Sequence, residues 1–218
     1  MLPDKYWCVM AEKFNTFRHS PSAERNRGPI LEVLATVMPV PGVVLDVGAG
    51  GGHHCAWYAP EFPENIWAPS DADGAVIGQI DAWVGSTDGA DVKNILPARL
   101  LDAQQKDWPI DDIADQLVAF FSVNMIHIAP WQATVGMMAA AGRYLPANGV
   151  VFLYGPFLRD GQPLTDNDAA FDRAIRDRHS ASGLRDLDAV RAEAEKNGLE
   201  LSQQVDMPAG NLSLIFTR

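Results

Sequence analysis

The segment that most restricts the fold is a run of glycines that directly follows an apolar, β-branched stretch. Residues 43–47 read Val-Val-Leu-Asp-Val, and residues 48–52 read Gly-Ala-Gly-Gly-Gly. A short apolar run of this kind, preceded by Pro41-Gly42, is typical of a strand buried on both faces of a parallel sheet. Glycines let the backbone adopt positive φ and approach a ligand closely, and a following helix offers free N–H groups. We therefore predict a strand, a ligand-binding glycine loop (residues 48–52) and a helix at 53–58.

Strand and helix patterns alternate along the rest of the chain. Further strands are predicted at 66–68, 98–101, 117–123, 149–154, 199–205 and 212–217, and further helices at 75–84, 131–144, 169–177 and 186–196. These units predict an α/β fold with a Rossmann-like, doubly wound, seven-stranded sheet, mostly parallel and closed by a C-terminal antiparallel β-hairpin. We expect a single domain over residues 1–218, in which residues 1–30 form an N-terminal extension and a possible lid.

The charge of the chain disfavours polyanionic partners. The formal net charge is -11, and residues 61–120 hold twelve acidic and three basic side chains, a local net charge of -9. This surplus would repel nucleic acid and anionic membranes, so we expect neither as a partner. Residues 121–158 contain Arg143 and no acidic residue, as in the buried middle of a sheet with its covering helix. The first ten residues resemble neither a signal peptide nor a membrane span, which favours a cytoplasmic location.

Common cofactor and metal motifs do not fit the chain. A dinucleotide fingerprint counted from Gly48 would place His53 where close helix packing requires Gly or Ala, and no Gly-Lys-Ser/Thr follows the loop. His53 and His54 point to different sides of a helix, and Cys8 and Cys55 lack a metal-ligand spacing. We therefore expect no metal and two ordinary packing thiols.

The spacing DxGxGxG resembles the first motif of class I S-adenosylmethionine (AdoMet)-dependent methyltransferases. The resemblance implies that AdoMet is the cofactor and that Asp46 orients the loop or meets its amino group. It implies that Asp71 holds the ribose hydroxyls and that Asp102 meets the adenine amino group. In the alternative interpretation, Asp71 and Asp102 are strand-end turn residues. The loop glycines implied to line the methionine and ribose portion are Gly48, Gly50 and Gly52.

Short blocks spread over the chain resemble a narrower group, the methyltransferase-like protein 26 family (domain of unknown function 938). They lie at residues 23–26 with 29–31, 67–71, 124–128, 154–156, 183–186 and 205–209 with 211. Gly210 departs from the Asn common at this position in the family, which affects the shape of that hairpin turn. The resemblance implies an AdoMet-binding fold and supplies no substrate.

Two residues after predicted strands are candidates for catalysis. His127 follows the fourth strand, and an imidazole that titrates near neutral pH can act as a general base. The alternative is a histidine satisfied by a loop carbonyl. Tyr154 ends the fifth strand and would orient the substrate or, alternatively, pack its ring. Asn124 is expected to bound the methionine pocket.

Four further residues are candidates for binding. Arg25 and Asn26 precede the first strand in the possible lid, where Arg25 would clamp a carboxylate of the cofactor or of a substrate. The alternative for Arg25 is a surface ion pair with Glu24 or with a neighbouring acid. Trp131 and Arg185 are candidates for substrate binding, with a helix-start anchor as the alternative for Trp131.

The preferred function is an AdoMet-dependent methyltransferase that acts on a small molecule by in-line methyl transfer. Two alternatives stay open: a non-catalytic AdoMet-binding or interaction protein, and a protein methyltransferase. The oligomeric state is not predicted by the sequence.

Overall fold

The computed structural model of the protein describes residues 21–84 and 92–218. The helices are α1 (Pro21–Val37), α2 (His53–Tyr58), α3 (Gly74–Val84), α4 (Met125–Ile128), α5 (Trp131–Tyr144), α6 (Asp166–Arg178) and α7 (Leu187–Lys196). The strands are β1 (Gly42–Val47), β2 (Asn65–Asp71), β3 (Arg99–Leu100), β4 (Leu117–Val123), β5 (Val150–Gly155), β6 (Phe157–Leu158), β7 (Arg185–Asp186), β8 (Glu200–Asp206) and β9 (Leu212–Thr217). Residues 1–20 of the predicted extension, including Cys8, lie outside the described residues.

A seven-stranded sheet of order β3-β2-β1-β4-β5-β9-β8 forms the centre of the molecule. Strands β1 to β5 pair in parallel, and β9 pairs antiparallel with both β5 and β8. The predicted fold class is therefore confirmed, including the C-terminal hairpin. The strand order reverses between β1 and β4, and open parallel sheets generally bind their ligands beyond the carboxyl ends of the strands at such a point.

Both faces of the sheet are covered, and the stretch at 121–158, which carries no charged residue except Arg143, supplies buried strands and a covering helix. On one face, the buried side chains of α5 and α7 pack against alternate residues of the strands, such as Met137 against Phe120 and Leu214. On the other face, Ile30 from α1 packs with Phe121 from β4. Every residue of β5 is buried, because a central strand covered by helices on two sides has no solvent face.

Helix α1 was not predicted from the sequence as a helix. Its side chains Ile30 and Leu34 are fully buried, so the second half of the helix belongs to the core. Pro29 lies inside the helix and lacks the N–H that would bond to the carbonyl of Arg25. Gly28 precedes it, and this pair hides the helical pattern in the sequence because both residues are poor helix formers.

Three further elements escaped sequence analysis because they are very short. Helix α4 has one turn, and β6 pairs in parallel with β7 through two residues each. Asp186 is the N-cap of α7, since its carboxylate accepts a hydrogen bond from the Ala189 N–H at 2.8 Å.

Candidate functional site

The glycine loop is tied to the end of β2 by its own backbone. The N–H groups of Gly48 and Ala49 donate to the Ser70 carbonyl at 3.0 and 2.8 Å. The Gly50 N–H donates to Asp71 Oδ2 at 2.9 Å. These three bonds fix the loop before any ligand arrives, because they hold successive amides on the neighbouring strand.

Two glycines of this loop are required for different reasons. Gly48 has φ 76°, and a Cβ there would overlap the side chain of Met125. Gly50 has φ 55°, yet a Cβ at this position would meet no atom within 4 Å. Packing therefore excludes a side chain at Gly48, whereas a side chain at Gly50 would project into open space, and positive φ is what favours glycine there.

Asp46 is a buried acid at the end of β1. Asp46 is 2% exposed, and its Oδ2 is buried without a hydrogen-bond partner among the described residues. Burial, and then the charge of Asp71, raises the pKa of Asp46 well above its ordinary value. A buried carboxyl with an unpaired oxygen is costly, so this oxygen fits a cationic or hydrogen-bond-donating ligand group.

The two other predicted acids lie at the ends of β2 and β3. Asp71 accepts from the Asp73 N–H at 3.0 Å as well as from Gly50. Asp102 accepts from the Gln104 N–H at 2.9 Å and from the side chains of Gln104 and Gln105. Burial opposes ionisation of Asp102, but these hydrogen bonds prevail and lower its pKa. Both acids organise their local turns, and carboxylate oxygens keep further lone pairs for a ligand.

A polar cluster lies where α1, α2 and β5 meet, at the same edge of the sheet. His54 Nε2 is 2.9 Å from Asn26 Oδ1. The Asn26 side chain also hydrogen-bonds to the Tyr154 hydroxyl, and the positive charge of Arg25 acts on the same hydroxyl. Burial, and then His53, lowers the pKa of His54 to about 4, so the ring is neutral at physiological pH. Asn26 and Tyr154 are both buried.

His127 is wholly buried behind β5. Its Nδ1 accepts from the Arg185 N–H at 3.3 Å, and its ring meets Phe157 edge-on at 4.9 Å. Burial, and then the charge of Arg185, lowers its pKa to about 3. Its Nε2 and Asn124 Oδ1 lack partners among the described residues, and both lie beside Gly155. A role for His127 as general base stays a prediction, and it requires movement of the surrounding segments.

Arg185 binds the turn that follows β4. Its Nε donates to the Ile126 carbonyl at 2.8 Å, and its Nη2 donates to the carbonyls of Ala129 and Ala181 at 2.7 and 2.9 Å. The guanidinium lies 5.9 Å from the centre of the Trp131 ring. The structure therefore brings together the two predicted substrate-binding residues, and it gives Arg185 a structural role in addition.

The predicted residues thus fall into three groups along the carboxyl edge of the sheet. One holds Asp46, the glycine loop and Asp71, one holds Asn26, Arg25 and Tyr154, and one holds Asn124, His127, Arg185 and Trp131. Asp102 ends β3 in its own turn. Sequence reasoning missed Ser70 and His54 as parts of these groups. The position of His54 directly after the glycine loop was the available signal.

The remaining candidates for a functional site have less support from the structure. A shallow depression, lined in part by Gly42, Glu64 and Leu117, opens at the amino ends of β1, β2 and β4, away from the edge where open parallel sheets bind ligands. Within residues 21–84 and 92–218, no three His, Cys, Asp or Glu side chains are grouped so that they could hold a metal ion. Cys55 is buried and unpaired, as predicted. In the same ranges, no helix combines the length and apolarity that crossing a bilayer requires.

Solved structures with a similar fold are AdoMet-dependent methyltransferases. The methyltransferase SibL in its apo form matches with a TM-score of 0.71 at 13% identity over 90% of this chain and 55% of its own. The mitomycin 7-O-methyltransferase matches with 0.70 at 14% over 88% and 54%. Human N-acetylserotonin methyltransferase in complex with SAM matches with 0.68 at 12% over 88% and 51%. The chain spans about half the length of these proteins, and its fold is that of class I AdoMet-dependent methyltransferases.

The family to which the chain belongs is shown by comparison of its sequence with family models. Residues 17–218 match the family described as protein of unknown function (DUF938), and the chain belongs to this family. The two resemblances found in the sequence are therefore confirmed at the level of family and fold.

Proposed function

We propose that the protein is an AdoMet-dependent methyltransferase that acts on a small molecule. The observation that carries this proposal is the arrangement at the end of β1. A preformed glycine loop, bonded to Asp71, lies beside the buried, unpartnered Oδ2 of Asp46. This arrangement lies at the switch point of an open parallel sheet, where such folds bind their ligands.

The residues present fit AdoMet in charge and in hydrogen-bonding capacity. Asp46 would meet the amino group, and the space at Gly50, where a Cβ would touch nothing, would take the methionine and ribose portion. Asp71 would hold the ribose hydroxyls with the lone pairs left by its backbone bonds, Asp102 would meet the adenine amino group, and Asn124 would bound the methionine pocket. Carboxylates suit these roles because they only accept hydrogen bonds.

The chemistry requires mainly positioning. When bound, AdoMet supplies an electrophilic methyl group on a sulfonium ion. The chain would hold the acceptor in line with that methyl and exclude water, and a base is needed only where the acceptor must lose a proton. His127 and Tyr154 stay the candidates for that proton, and Trp131 and Arg185 the candidates for contact with the acceptor.

A small molecule is favoured as the acceptor for two reasons. Two of the similar structures are named for small molecules, mitomycin and N-acetylserotonin. The net charge of -11 disfavours nucleic acid, because phosphate binding relies on Lys and Arg clusters.

Calorimetry with AdoMet and S-adenosylhomocysteine tests the binding. Both ligands should bind the wild-type chain and fail to bind Gly50→Arg, whose side chain would fill the ligand space. No binding to the intact wild-type protein contradicts the proposal. Release of S-adenosylhomocysteine from AdoMet in the presence of a small-molecule metabolite extract tests catalysis, and its absence alongside tight binding would favour a binding protein.

A further inference from the structure

The hydrogen bonds among His54, Asn26 and Tyr154 have a defined direction. An amide oxygen only accepts, so the 2.9 Å contact between Asn26 Oδ1 and His54 Nε2 requires the proton of the neutral imidazole to be on Nε2. This bond fixes the orientation of the Asn26 amide. Its nitrogen is then the group that faces the Tyr154 hydroxyl.

The orientation of Asn26 leaves the Tyr154 proton free for another partner. Burial raises the pKa of Tyr154, and the hydrogen bond with Asn26 and the charge of Arg25 offset only part of that rise. Tyr154 is therefore a neutral phenol at physiological pH. With its oxygen receiving a bond from Asn26, its hydroxyl can donate to an acceptor on a ligand.

The charged residues considered with this hydroxyl are a cation, Arg25, and an acid, Asp46. Arg25 lies close enough for its positive charge to act on Tyr154. Tyr154 belongs to the core cluster on the α1 face of the sheet, together with Val44 of β1. Asp46 follows Val44 by two residues, so its side chain points to the same face. Tyr58, whose pKa is affected by both Asp46 and Tyr154, belongs to the same cluster as Tyr154. Tyr154, with Arg25 near it, and the unpartnered acid Asp46 are thus on the same face of the sheet.

We propose that Tyr154, oriented by Asn26 and His54 and assisted by Arg25, donates its hydroxyl proton as a hydrogen bond to the carboxylate of the amino-acid end of AdoMet, while Asp46 meets the ammonium group. This inference rests on the proposed function. It makes Tyr154 a cofactor-binding residue, and Asn26 and His54 positioning residues. No covalent bond is broken or formed in this role.

A pair of ligands isolates the amino-acid end. S-adenosylhomocysteine carries the carboxylate, whereas 5′-methylthioadenosine keeps the adenosine and lacks the whole amino-acid portion. Calorimetry on the full chain should show that Tyr154→Phe weakens binding of S-adenosylhomocysteine by roughly 10-fold to 100-fold, the range for a lost hydrogen bond to a charged group. The same substitution should leave binding of 5′-methylthioadenosine within about twofold, because it lacks the carboxylate.

A second variant keeps the tyrosine. In Asn26→Asp, the introduced carboxylate still accepts from His54 but also accepts the Tyr154 proton, so it should weaken S-adenosylhomocysteine binding selectively as well. Tyr144→Phe is the matched control. Its hydroxyl accepts from Arg143 Nη1 at 3.3 Å, away from the proposed site, and its loss should not change the ratio of the two affinities.

The outcomes separate the two proposals. An equal loss for both ligands in Tyr154→Phe, or no loss for either, overturns this inference and leaves the proposed function standing. Failure of the wild-type chain to bind S-adenosylhomocysteine contradicts the proposed function and this inference together.

Discussion

The Gly50 N–H donates to Asp71 Oδ2 over 2.9 Å and joins the loop after β1 to the end of β2, across 21 residues of sequence. The same carboxylate accepts from the Asp73 N–H. One side chain therefore shapes both the glycine loop and the turn into α3. Asp71, proposed to hold the ribose hydroxyls, is thus also the residue that holds the glycine loop in place.

Asp71→Ala should release the glycine loop and weaken ligand binding. Loss of two backbone bonds to a partly exposed charge should lower the free energy of unfolding by about 1–3 kcal/mol. Affinity for S-adenosylhomocysteine should fall at least about tenfold, since a preformed loop and a ribose contact are lost together. Urea unfolding and calorimetry measure the two effects.

Asp73→Ala is the control for that substitution. Asp73 Oδ1 accepts from the Ala75 N–H at 2.9 Å at the start of α3, so its loss should cost about 1 kcal/mol of stability with the affinity retained. Equal losses of affinity in both variants would show that Asp71 acts through folding alone.

Asp46→Asn should stabilise the ligand-free protein at neutral pH. Burial, and then Asp71, raises the pKa of Asp46 above the ordinary 3.8, so the folded state retains a proton that the unfolded chain has released. Stability then falls as pH rises from 3.8 towards the raised pKa. The amide does not titrate, so the advantage of the variant should grow over this range and vanish below it. Urea unfolding between pH 3 and pH 8 measures the difference.

Binding of S-adenosylhomocysteine should release a proton from the wild-type protein below the raised pKa of Asp46. An ammonium group favours the ionised carboxylate, so affinity should increase with pH until Asp46 is ionised in the free protein. Calorimetry in two buffers of different ionisation enthalpy counts the protons. Identical proton release in Asp46→Asn would exclude Asp46 as its source.

Gly155→Ala should destabilise the protein through a contact with His127. The added Cβ would lie 2.5 Å from His127 Nε2 and 3.0 Å from Asn124 Oδ1, and overpacking of this kind costs about 1–3 kcal/mol. In the His127→Ala background the clash with the ring is removed, so the same change should cost much less. Urea unfolding of the four proteins gives the coupling energy.

Gly142→Ala provides the additive comparison. Its Cβ would overlap the Asn197 carbonyl, which has no contact with His127. Its effect should be the same with and without His127→Ala, within about 0.5 kcal/mol. Additivity at Gly155 as well would show that His127 moves aside readily, as a general base that reaches the acceptor must.

Arg185→Lys should loosen the turn after β4. Lysine has one nitrogen and cannot reproduce the bonds that Nε and Nη2 make to three carbonyls. We expect a loss of about 1–3 kcal/mol, with faster hydrogen exchange at the Gly183 N–H, which donates to the His127 carbonyl. Arg191→Lys, in an exposed pair with Glu195, should change stability by less than about 0.5 kcal/mol.

The sequence by itself determined the sheet and the loop. The runs at 117–123, 131–144 and 212–217 are apolar and clearly bounded, and the strands and helix there have these limits. The glycines after β1 likewise predicted a ligand loop, because positive φ is a local property of the residue type. Helix α1 was missed because Gly28 and Pro29 interrupt its pattern, although burial of Ile30 and Leu34 stabilises it.

Only the tertiary structure decided the ionisation and the partners of the site residues. His127 was expected to titrate near neutral pH, yet burial lowers its pKa to about 3. His54 entered the sequence analysis only as an unsuitable metal ligand, and it holds Asn26 from 28 residues away. Local patterns report periodicity and turn chemistry, whereas a pKa or a hydrogen bond depends on groups that distant elements bring together. The strand order and the packing of the helices on the sheet together set which of those groups meet.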